Sequence, residues 1–246
     1  MNQGRIVVYC IFGLGLGIWL FISSFKKLRL RRAVENTPRS KIRSAAMGKC
    51  EVQGRAKVLG EALTGPFSGL PCLWYHWKVE EARRDSRGNT SWSTLDEGKS
   101  FEAFSLEDET GSIRIEPRGA EVESSDPLVY LSGSLHMMSQ PKGPEVSRWI
   151  GSAGIFSSER RLSEWMIYPE VSVLVLGVLR EVENPLSSTP EKVIMLGRAE
   201  DTFFISTHSQ QEVEQELFWS VWGRMLGGAC LAIASLALGA AVLLGV

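Results

Sequence analysis

The sequence has few of the residues that hold metals or build disulfide frameworks, with four cysteines and three histidines among 246 residues. The cysteines stand far apart, at positions 10, 50, 72 and 230, with no CxxC pair. Zinc sites and disulfide-rich domains are instead marked by closely spaced Cys or His residues. A phosphate-binding glycine loop, a nucleophile elbow and a dinucleotide fingerprint are also missing. We therefore predict that the chain holds no metal and no cofactor.

The sequence also lacks an excess of charge of either sign. Its 27 basic and 28 acidic side chains leave a net charge of -1. Proteins that bind nucleic acids carry a basic surface that neutralises the backbone phosphates. The balanced charge therefore predicts no nucleic-acid partner, and only local charge clusters are informative.

A long uncharged apolar run is present at each end of the chain, at residues 6–25 and 225–246. A helix of about twenty apolar residues spans the roughly 30 Å hydrocarbon core of a bilayer. The first run is longer than the apolar part of a cleaved signal peptide and lacks a small-residue cleavage site. Both runs are therefore predicted to be transmembrane helices of an integral, multi-pass membrane protein.

A dense basic cluster follows the first run and consists of Lys26, Lys27, Arg29, Arg31 and Arg32. Lysine and arginine beside a membrane span mark the cytosolic side. The cluster therefore predicts that the central segment is cytosolic and that both termini lie outside. These side chains are also suited to anionic lipid headgroups. The alternative is that they act as a topology signal alone.

These features divide the chain into six segments. They are an N-terminal tail (1–5), a first transmembrane helix (6–25), a basic juxtamembrane stem (26–49), a β-rich domain (50–212), a juxtamembrane helix (213–224) and a second transmembrane helix (225–246). The fourth segment contains short runs of alternating polar and apolar residues separated by turn residues. This pattern predicts a mostly β domain, barrel-like or sandwich-like, between the two transmembrane helices.

Two pairs of runs within that domain are predicted to be hairpins. FSLEDETGSIRI, residues 104–115, has a turn at EDETG in which Gly111 suits a positive φ. SEWMIYPEVSVLVL, residues 163–176, turns at Tyr168 and Pro169 before a long apolar strand. The polar stretch RRDSRGNTSW, residues 83–92, is predicted to be either a third hairpin loop or a longer excursion of the chain.

The stretch LWYHWKV, residues 73–79, carries the predicted binding surface. Successive side chains of a strand point to opposite faces, so Trp74, His76 and Lys78 share one face. A large aromatic side chain beside histidine and lysine is suited to binding a protein partner. The alternative is that Trp74 packs beneath the loop that follows the strand. The predicted partner-binding residues are Trp74, His76, Lys78, Arg83, Arg84 and Trp92.

Cys72 and His76 have the residue types of a catalytic dyad. In a strand they share a face, but their Cα atoms lie roughly 13 Å apart. A dyad requires hydrogen-bond contact between the two side chains, so only a distant base, His136 or His208, would complete one. Free cysteine is more often a small buried hydrophobic residue. A Cys72-dependent thiol enzyme is therefore kept as an alternative, and no catalytic residue is predicted.

Gly13 and Gly17 form a GxxxG motif in the first predicted transmembrane helix. Glycines at this spacing allow two helices to approach closely. The motif predicts packing either against the second helix of the same chain or between two copies of the chain, which would form a homo-oligomer.

Three segments, taken in order, resemble a known family. They are GPFSGLPCLWYHWKVEE (65–81), FEAFSLEDETGSIRIEPRGAEV (101–122) and RRLSEWMIYPEVSVLVLGVL (160–179). Together they are similar to the GIDE-type domain, also called the beside-a-membrane domain, of mitochondrial and chloroplast-envelope ubiquitin ligases. The resemblance implies a domain between two membrane helices. The motif positions, which we interpret as fold-forming, are Pro71, Cys72, Asp108, Gly111, Pro117 and Gly119.

In those ligases the domain engages membrane-associated substrates, and a RING after the second helix recruits the ubiquitin-charged enzyme. A RING holds two zinc ions with about four Cys or His ligands each, more than this sequence contains, and nothing follows Val246 in it. We therefore expect this chain to be a relative of those ligases that lacks the RING and cannot recruit the ubiquitin-charged enzyme through one. The organelle domain faces the intermembrane space, opposite to the side that the basic cluster predicts, and we follow the charge rule.

The sequence thus predicts a two-pass membrane protein whose β domain is a non-catalytic interaction module. Its partners would be membrane-associated proteins, because tethering raises its effective concentration toward them. The alternatives are a RING-less subunit of a ubiquitin ligase that acts through a partner, and the Cys72-dependent enzyme.

Overall fold

The computed structural model describes residues 3–37, 39–124, 126–131, 142–150, 159–183, 190–198, 201–208 and 210–244. The chain divides into a helical unit, residues 1–38 with 210–246, and a β unit, residues 39–209. Among the described residues, the α-helices are α1 (Gln3–Asn36), α2 (Val146–Ile150) and α3 (Gln210–Leu244). The strands are β1 (Gly48–Lys57), β2 (Leu63–Thr64), β3 (Pro71–Cys72), β4 (Trp74–Arg84), β5 (Thr90–Lys99), β6 (Phe104–Asp108), β7 (Gly111–Ile115), β8 (Glu121–Glu123), β9 (Leu128–Leu131), β10 (Arg160–Ile167), β11 (Ser172–Val182), β12 (Glu191–Met195) and β13 (Phe204–Ser206).

Both helices of the helical unit contain a run that is long and apolar enough to cross a membrane. The runs are Val8–Phe25, of 18 residues, and Trp222–Ala240, of 19 residues. Large apolar side chains are exposed along both, for example Phe12 and Leu226. A helix that is apolar all round lies either in a protein core or in a membrane. The structure therefore confirms that each end of the chain forms a helix of spanning length and composition.

The two long helices pack closely at small residues. A Cβ atom added to Gly17 would lie 2.8 Å from the carbonyl oxygen of Gly228, and Gly13 faces Ser235. Backbone cannot move aside as a flexible side chain can, so only glycine fits at Gly17. Of the two packing modes that the GxxxG motif predicts, the structure has the contact with the second helix of the same chain.

Helix α1 does not end with its apolar run. It continues through the basic cluster to Asn36, within the segment that is predicted to be a stem. Lysine, arginine and leucine are strong helix formers, which explains the extension. A short 3-10 turn, Ile42–Ser44, then precedes β1. Helix α3 likewise runs unbroken from Gln210 through the predicted juxtamembrane helix and into the predicted second span, as far as Leu244.

Five strands of the β unit close into a barrel. Antiparallel pairs join β1 to β6, β6 to β7, β12 to β11 and β11 back to β1, and a parallel pair joins β7 to β12. Inward side chains such as Val52, Leu106 and Ile115 are fully buried in the barrel core. Strands β13 and β8 extend the sheet beyond β11. This confirms the predicted β-rich domain. Of the two predicted forms, barrel-like and sandwich-like, the structure shows a barrel.

A second antiparallel sheet has the order β5, β4, β10, β9. One of its faces covers a smaller hydrophobic core made of Phe67, Val79, Tyr130 and Leu162. Trp77 of β4 packs against this core and lies across Gly98 of β5, where an added Cβ would be 2.7 Å from the indole ring. The opposite face of the sheet carries three of the predicted binding residues, His76, Lys78 and Trp92.

Two of the three predicted hairpins are confirmed. In β6–β7, Phe104 pairs with Ile115 and Asp108 with Gly111, and the β4–β5 turn spans residues 85–89. Gly111 does not have the predicted positive φ, because it already belongs to β7. The turn is instead held by Asp108, whose carboxylate accepts hydrogen bonds from the backbone and the hydroxyl of Thr110, both at 2.6 Å.

The predicted hairpin between β10 and β11 is wrong in its pairing. The chain does turn at Pro169 and Glu170, where Glu170 has a φ of 66°. Strand β10 pairs with β4 and β9, whereas β11 enters the barrel. The run from Val173 to Leu179 is buried on both faces, and such a strand carries no alternation that would indicate its neighbours.

Candidate partner-binding surface

The outer face of the four-stranded sheet brings together polar and aromatic side chains from three strands. His76 and Lys78 alternate along β4 with Trp77 and Val79, which pack into the smaller core. This confirms the predicted alternation. The surface is named here the ionic–aromatic face and consists of His76, Lys78, Glu80, Trp92, Arg161 and Trp165.

Trp74 is not part of the ionic–aromatic face. Only 4% of its surface is exposed. Strand β10 pairs it with Ile167, and both side chains belong to the barrel core. The prediction of a surface tryptophan is therefore wrong, because burying a large indole in an apolar core is favourable. Packing beneath the loop after β4 is wrong as well, since that loop lies at the opposite end of the strand.

Glu80 is the centre of an ion network on the face. Its carboxylate lies 2.7 Å from Lys78 Nζ and 2.6 Å from Arg161 Nη2, and Arg161 Nε donates to it at 2.8 Å. The hydrogen bond from Lys78, reinforced by Arg161, holds the pKa of Glu80 below its usual value, although burial opposes the shift. The guanidinium of Arg161 also lies 4.5 Å from the centre of the Trp92 ring. The network therefore fixes two cations and an aromatic ring in one arrangement.

His76 forms the neighbouring part of the face. Its imidazole stacks on Trp165, with ring centres 4.9 Å apart and planes 19° from parallel. The Nε2 atom lies 3.9 Å from the carboxylate of Glu97, which is beyond hydrogen-bond distance. Burial, followed by the positive charge of Lys99, lowers the pKa of His76, and Glu97 opposes the shift. The lowered pKa favours the uncharged form of the imidazole at neutral pH.

Strand β9 adds exposed apolar side chains to the edge of the face. The register places Leu131 opposite Arg161 and Val129 opposite Ser163. Directly opposed residues of an antiparallel pair point to the same side of the sheet. Val129 is 49% exposed and Leu131 is 36% exposed. Exposed apolar side chains beside a fixed arginine and aromatic rings are typical of surfaces that bind proteins.

The other predicted residues lie apart from this network. Arg83 and Arg84 are exposed at the end of β4, beside the turn to β5. The predicted membrane-surface residues, Lys26, Lys27, Arg29, Arg31 and Arg32, lie on the last part of α1, where the structure describes the backbone.

Arg161 and Trp165 are not among the binding residues predicted from the sequence. A signal was present, because RRLSEWMI alternates and places Arg161, Ser163 and Trp165 on one side of a strand. The missing information was the neighbour of that strand. Only the pairing of β10 with β4 brings Arg161 to Glu80 and Trp165 to His76.

Cys72 lies in β3 and is fully buried. Burial raises the pKa of its thiol to about 12, and the negative charge of Glu164 adds to the shift. The nucleophilic form of cysteine is the thiolate, so this environment is unfavourable for the thiol-enzyme alternative. His136 lies outside the described residues, and within the described part of the chain the buried Nδ1 atom of His208 has no hydrogen-bond partner.

Carboxylates stabilise two of the sequence motifs. Glu164 accepts hydrogen bonds from the backbone N–H groups of Phe67 at 2.9 Å and Ser68 at 3.0 Å, which fixes the turn before β3. Asp108 accepts a hydrogen bond from the backbone of Ile42 at 2.9 Å and so ties the hairpin to the segment before β1. These contacts support the interpretation of the motif positions as fold-forming. In the described part of the chain, no group of three or more His, Cys, Asp and Glu residues is placed to hold a metal ion.

A β-barrel unit with a four-stranded sheet, placed in the chain between two long apolar helices, defines a helix-flanked β protein. The family model GIDE, described as E3 ubiquitin ligase, matches residues 76–242, more than half of the chain. The chain belongs to this family. The match includes the β6–β7 hairpin and strands β10 and β11, and it begins after the segment that contains Cys72. No curated protein and no solved structure matches the chain.

Proposed function

We propose that this GIDE-family chain is a two-pass membrane protein whose β unit binds membrane-associated proteins through the ionic–aromatic face and catalyses no reaction itself. The observation that carries the proposal is the network of Lys78, Glu80 and Arg161, bordered by the exposed Val129 and Leu131. Arginine and aromatic side chains supply most of the binding energy at protein interfaces. Because the network is already ordered, less conformational entropy is lost when a partner binds.

The short connections between the units support a tethering role. Helix α1 ends at Asn36 and the β unit begins at residue 39, whereas α3 begins at Gln210, directly after the β unit ends. A domain joined by short connections to membrane-spanning helices has a high effective concentration toward other membrane proteins. We place the β unit in the cytosol because of the basic cluster, which is also suited to anionic headgroups.

Site-specific photocrosslinking in native membranes tests the interaction face. A photoreactive amino acid at Val129 reports on the face, and one at Val182 on β11 is the matched control, since Val182 is also apolar and 37% exposed. We expect discrete protein adducts from position 129 and none from position 182. The double variant Glu80→Gln, Arg161→Gln should abolish the adducts, because it removes the ion network without leaving one buried charge unpaired.

Two results would contradict the proposal. One is the same set of adducts from positions 129 and 182, and the other is adducts that persist in the double variant. Unchanged circular dichroism and thermal unfolding of the double variant show that a loss of adducts is not a loss of fold.

The family match favours a second function, that of a ubiquitin-ligase component acting through a separate transferase. In that case a ubiquitin transferase is among the proteins crosslinked from Val129. Reconstituted ubiquitin transfer to a membrane-bound substrate should then require both proteins. If no ubiquitin transferase is found among the crosslinked proteins, the result supports only the scaffold function.

A further inference from the structure

A groove of about 690 Å³ lies on the barrel where β1 separates from β6. Strand β1 pairs with β6 only over residues 55–57, and its preceding residues pair with β11. On the open side of β1, the backbone of Arg39 forms an isolated parallel β-bridge with Glu51. The backbone N–H of Ser40 donates a hydrogen bond to the carbonyl oxygen of Glu51 at 2.9 Å. The segment before the barrel therefore forms one wall of the groove.

Basic and acidic side chains both line the groove. The basic residues are Arg39, Lys41, Arg55 and Lys57, and the acidic residues are Glu107, Asp108 and Glu109. The number of charged side chains does not by itself indicate a ligand. What the groove can bind depends on which of these side chains already have a partner within the protein.

The acidic residues are already engaged within the fold. Lys57 Nζ lies 3.3 Å from Glu107, and Lys41 forms an ion pair with Glu109. The carboxylate of Asp108 accepts hydrogen bonds from Ile42, Thr110 and Gly111. The two lysines and three carboxylates therefore satisfy one another or the backbone.

The two arginines differ from the lysines in this respect. Among the described residues, neither Arg39 nor Arg55 forms an ion pair or a side-chain hydrogen bond, and both are exposed to the groove. In the same groove, the amide of Gln53 donates a hydrogen bond to the hydroxyl oxygen of Ser172 at 3.1 Å. A hydroxyl that accepts in this way keeps its own proton for another acceptor. The groove thus offers two guanidinium groups and one hydroxyl as donors.

We propose that this groove binds a phosphate group between Arg39 and Arg55, with the Ser172 hydroxyl as a third donor. The planar fork of a guanidinium matches two oxygens of a phosphate, and such charge-assisted hydrogen bonds are strong. The phosphate belongs either to a lipid headgroup or to a soluble phosphate ester. The site lies on the barrel, apart from the ionic–aromatic face, and does not depend on the proposed function.

Phosphate binding by the full-length chain in phosphatidylcholine nanodiscs tests the proposal. Inorganic phosphate is titrated and its bound fraction is measured by phosphorus NMR. We expect the double variant Arg39→Gln, Arg55→Gln to bind at least about tenfold more weakly, because it loses the charge-assisted bonds. The matched control Arg180→Gln, Lys192→Gln removes the same charge from exposed positions on β11 and β12 and should bind as the wild type does.

Two further probes, which carry the same phosphate group, then distinguish a lipid headgroup from a soluble phosphate ester. Binding of soluble dihexanoyl phosphatidic acid that is clearly tighter than that of glycerol 3-phosphate identifies a lipid headgroup as the ligand. Equal binding of the two identifies a soluble phosphate ester. Failure of inorganic phosphate to bind the wild type, or equal weakening in both double variants, overturns the proposal.

Discussion

Single carboxylates hold the turns of the β unit. Asp108 closes the β6–β7 turn and also reaches Ile42, 66 residues away in sequence. Glu164 caps the Phe67–Ser68 turn from β10, 97 and 96 residues away. The local part of this arrangement is predictable, because aspartate commonly accepts hydrogen bonds from a turn two residues on. The distant part is not, because it depends on which strands become neighbours.

The hydrogen bonds of Asp108 predict a pH dependence of stability. Burial alone would raise its pKa, but the bonds from Thr110, Ile42 and Gly111 together hold the pKa below its usual value. Such a carboxylate stabilises the fold above its unfolded-state pKa of about 3.9, and this stability is lost as the pH falls through the lower folded-state value. We expect Asp108→Asn to lower the free energy of unfolding by about 1–3 kcal/mol at neutral pH. The deficit should shrink below about pH 4.

Chemical denaturation of both proteins in detergent, from neutral pH to pH 3, measures this difference. Glu61→Gln is the control, at an exposed position where the carboxylate forms no ion pair within the described part of the chain. A deficit for Asp108→Asn that stays constant across the whole pH range would show that the ionised carboxylate has no special role.

At the scale of elements, alternation identifies faces but not neighbours. The pattern of β4 correctly separates His76 and Lys78 from Trp77 and Val79. The same reasoning fails for Trp74, because the face it occupies continues from the exposed sheet into the barrel core. It fails again for β10 and β11, which are consecutive in sequence but lie in different sheets.

The pairing of the two long helices predicts a disulfide. A Cβ atom added to Gly239 would lie 3.6 Å from the Cβ of Cys10, within the range of about 3.5–4.5 Å found in disulfides. In a Cys230→Ser background, Gly239→Cys should therefore form an intrachain disulfide with Cys10 on mild oxidation. Mass spectrometry of proteolytic fragments detects it. Gly227→Cys is the control, since an added Cβ there has no neighbour within 4 Å.

A disulfide that links two chains, without the intrachain product, would contradict this helix pairing. It would favour the other packing mode of the GxxxG motif, in which two copies of the chain meet at Gly13 and Gly17.

At the scale of the whole molecule, the sidedness of the β unit decides which proteins and lipids can reach it. The β4–β5 turn is exposed and suits a reporter cysteine. Gly88 has a φ of 83°, which disfavours any other residue there, so its neighbour Arg87 is the better position. In a variant without the native cysteines, we expect Arg87→Cys to react with a membrane-impermeant maleimide only after the cells are permeabilised.

Labelling of Arg87→Cys in intact cells would place the β unit on the other side of the membrane and overturn the charge-based orientation. A cysteine introduced near the N-terminus, at Asn2, is the reciprocal reporter. It should be labelled in intact cells if both termini lie outside.

The sequence by itself determined the two apolar helices, the β-rich segment between them, the β6–β7 and β4–β5 hairpins and the alternation along β4. Each depends on the period of a local pattern or on a turn of a few residues, which neighbouring side chains specify. The family resemblance rested on the same local segments, and the family match confirmed it.

Only the tertiary structure decided the closure of the barrel, the burial of Trp74 and the assembly of Arg161 and Trp165 with Glu80 and His76. It also decided that Cys72 lies buried near Glu164. These outcomes depend on contacts between residues that are far apart in sequence, for example 48 positions for Lys57 and Ser105 and 81 positions for Glu80 and Arg161. A strand shows on which side its apolar residues lie, but which strand pairs with it is decided by the free energy of packing the whole core.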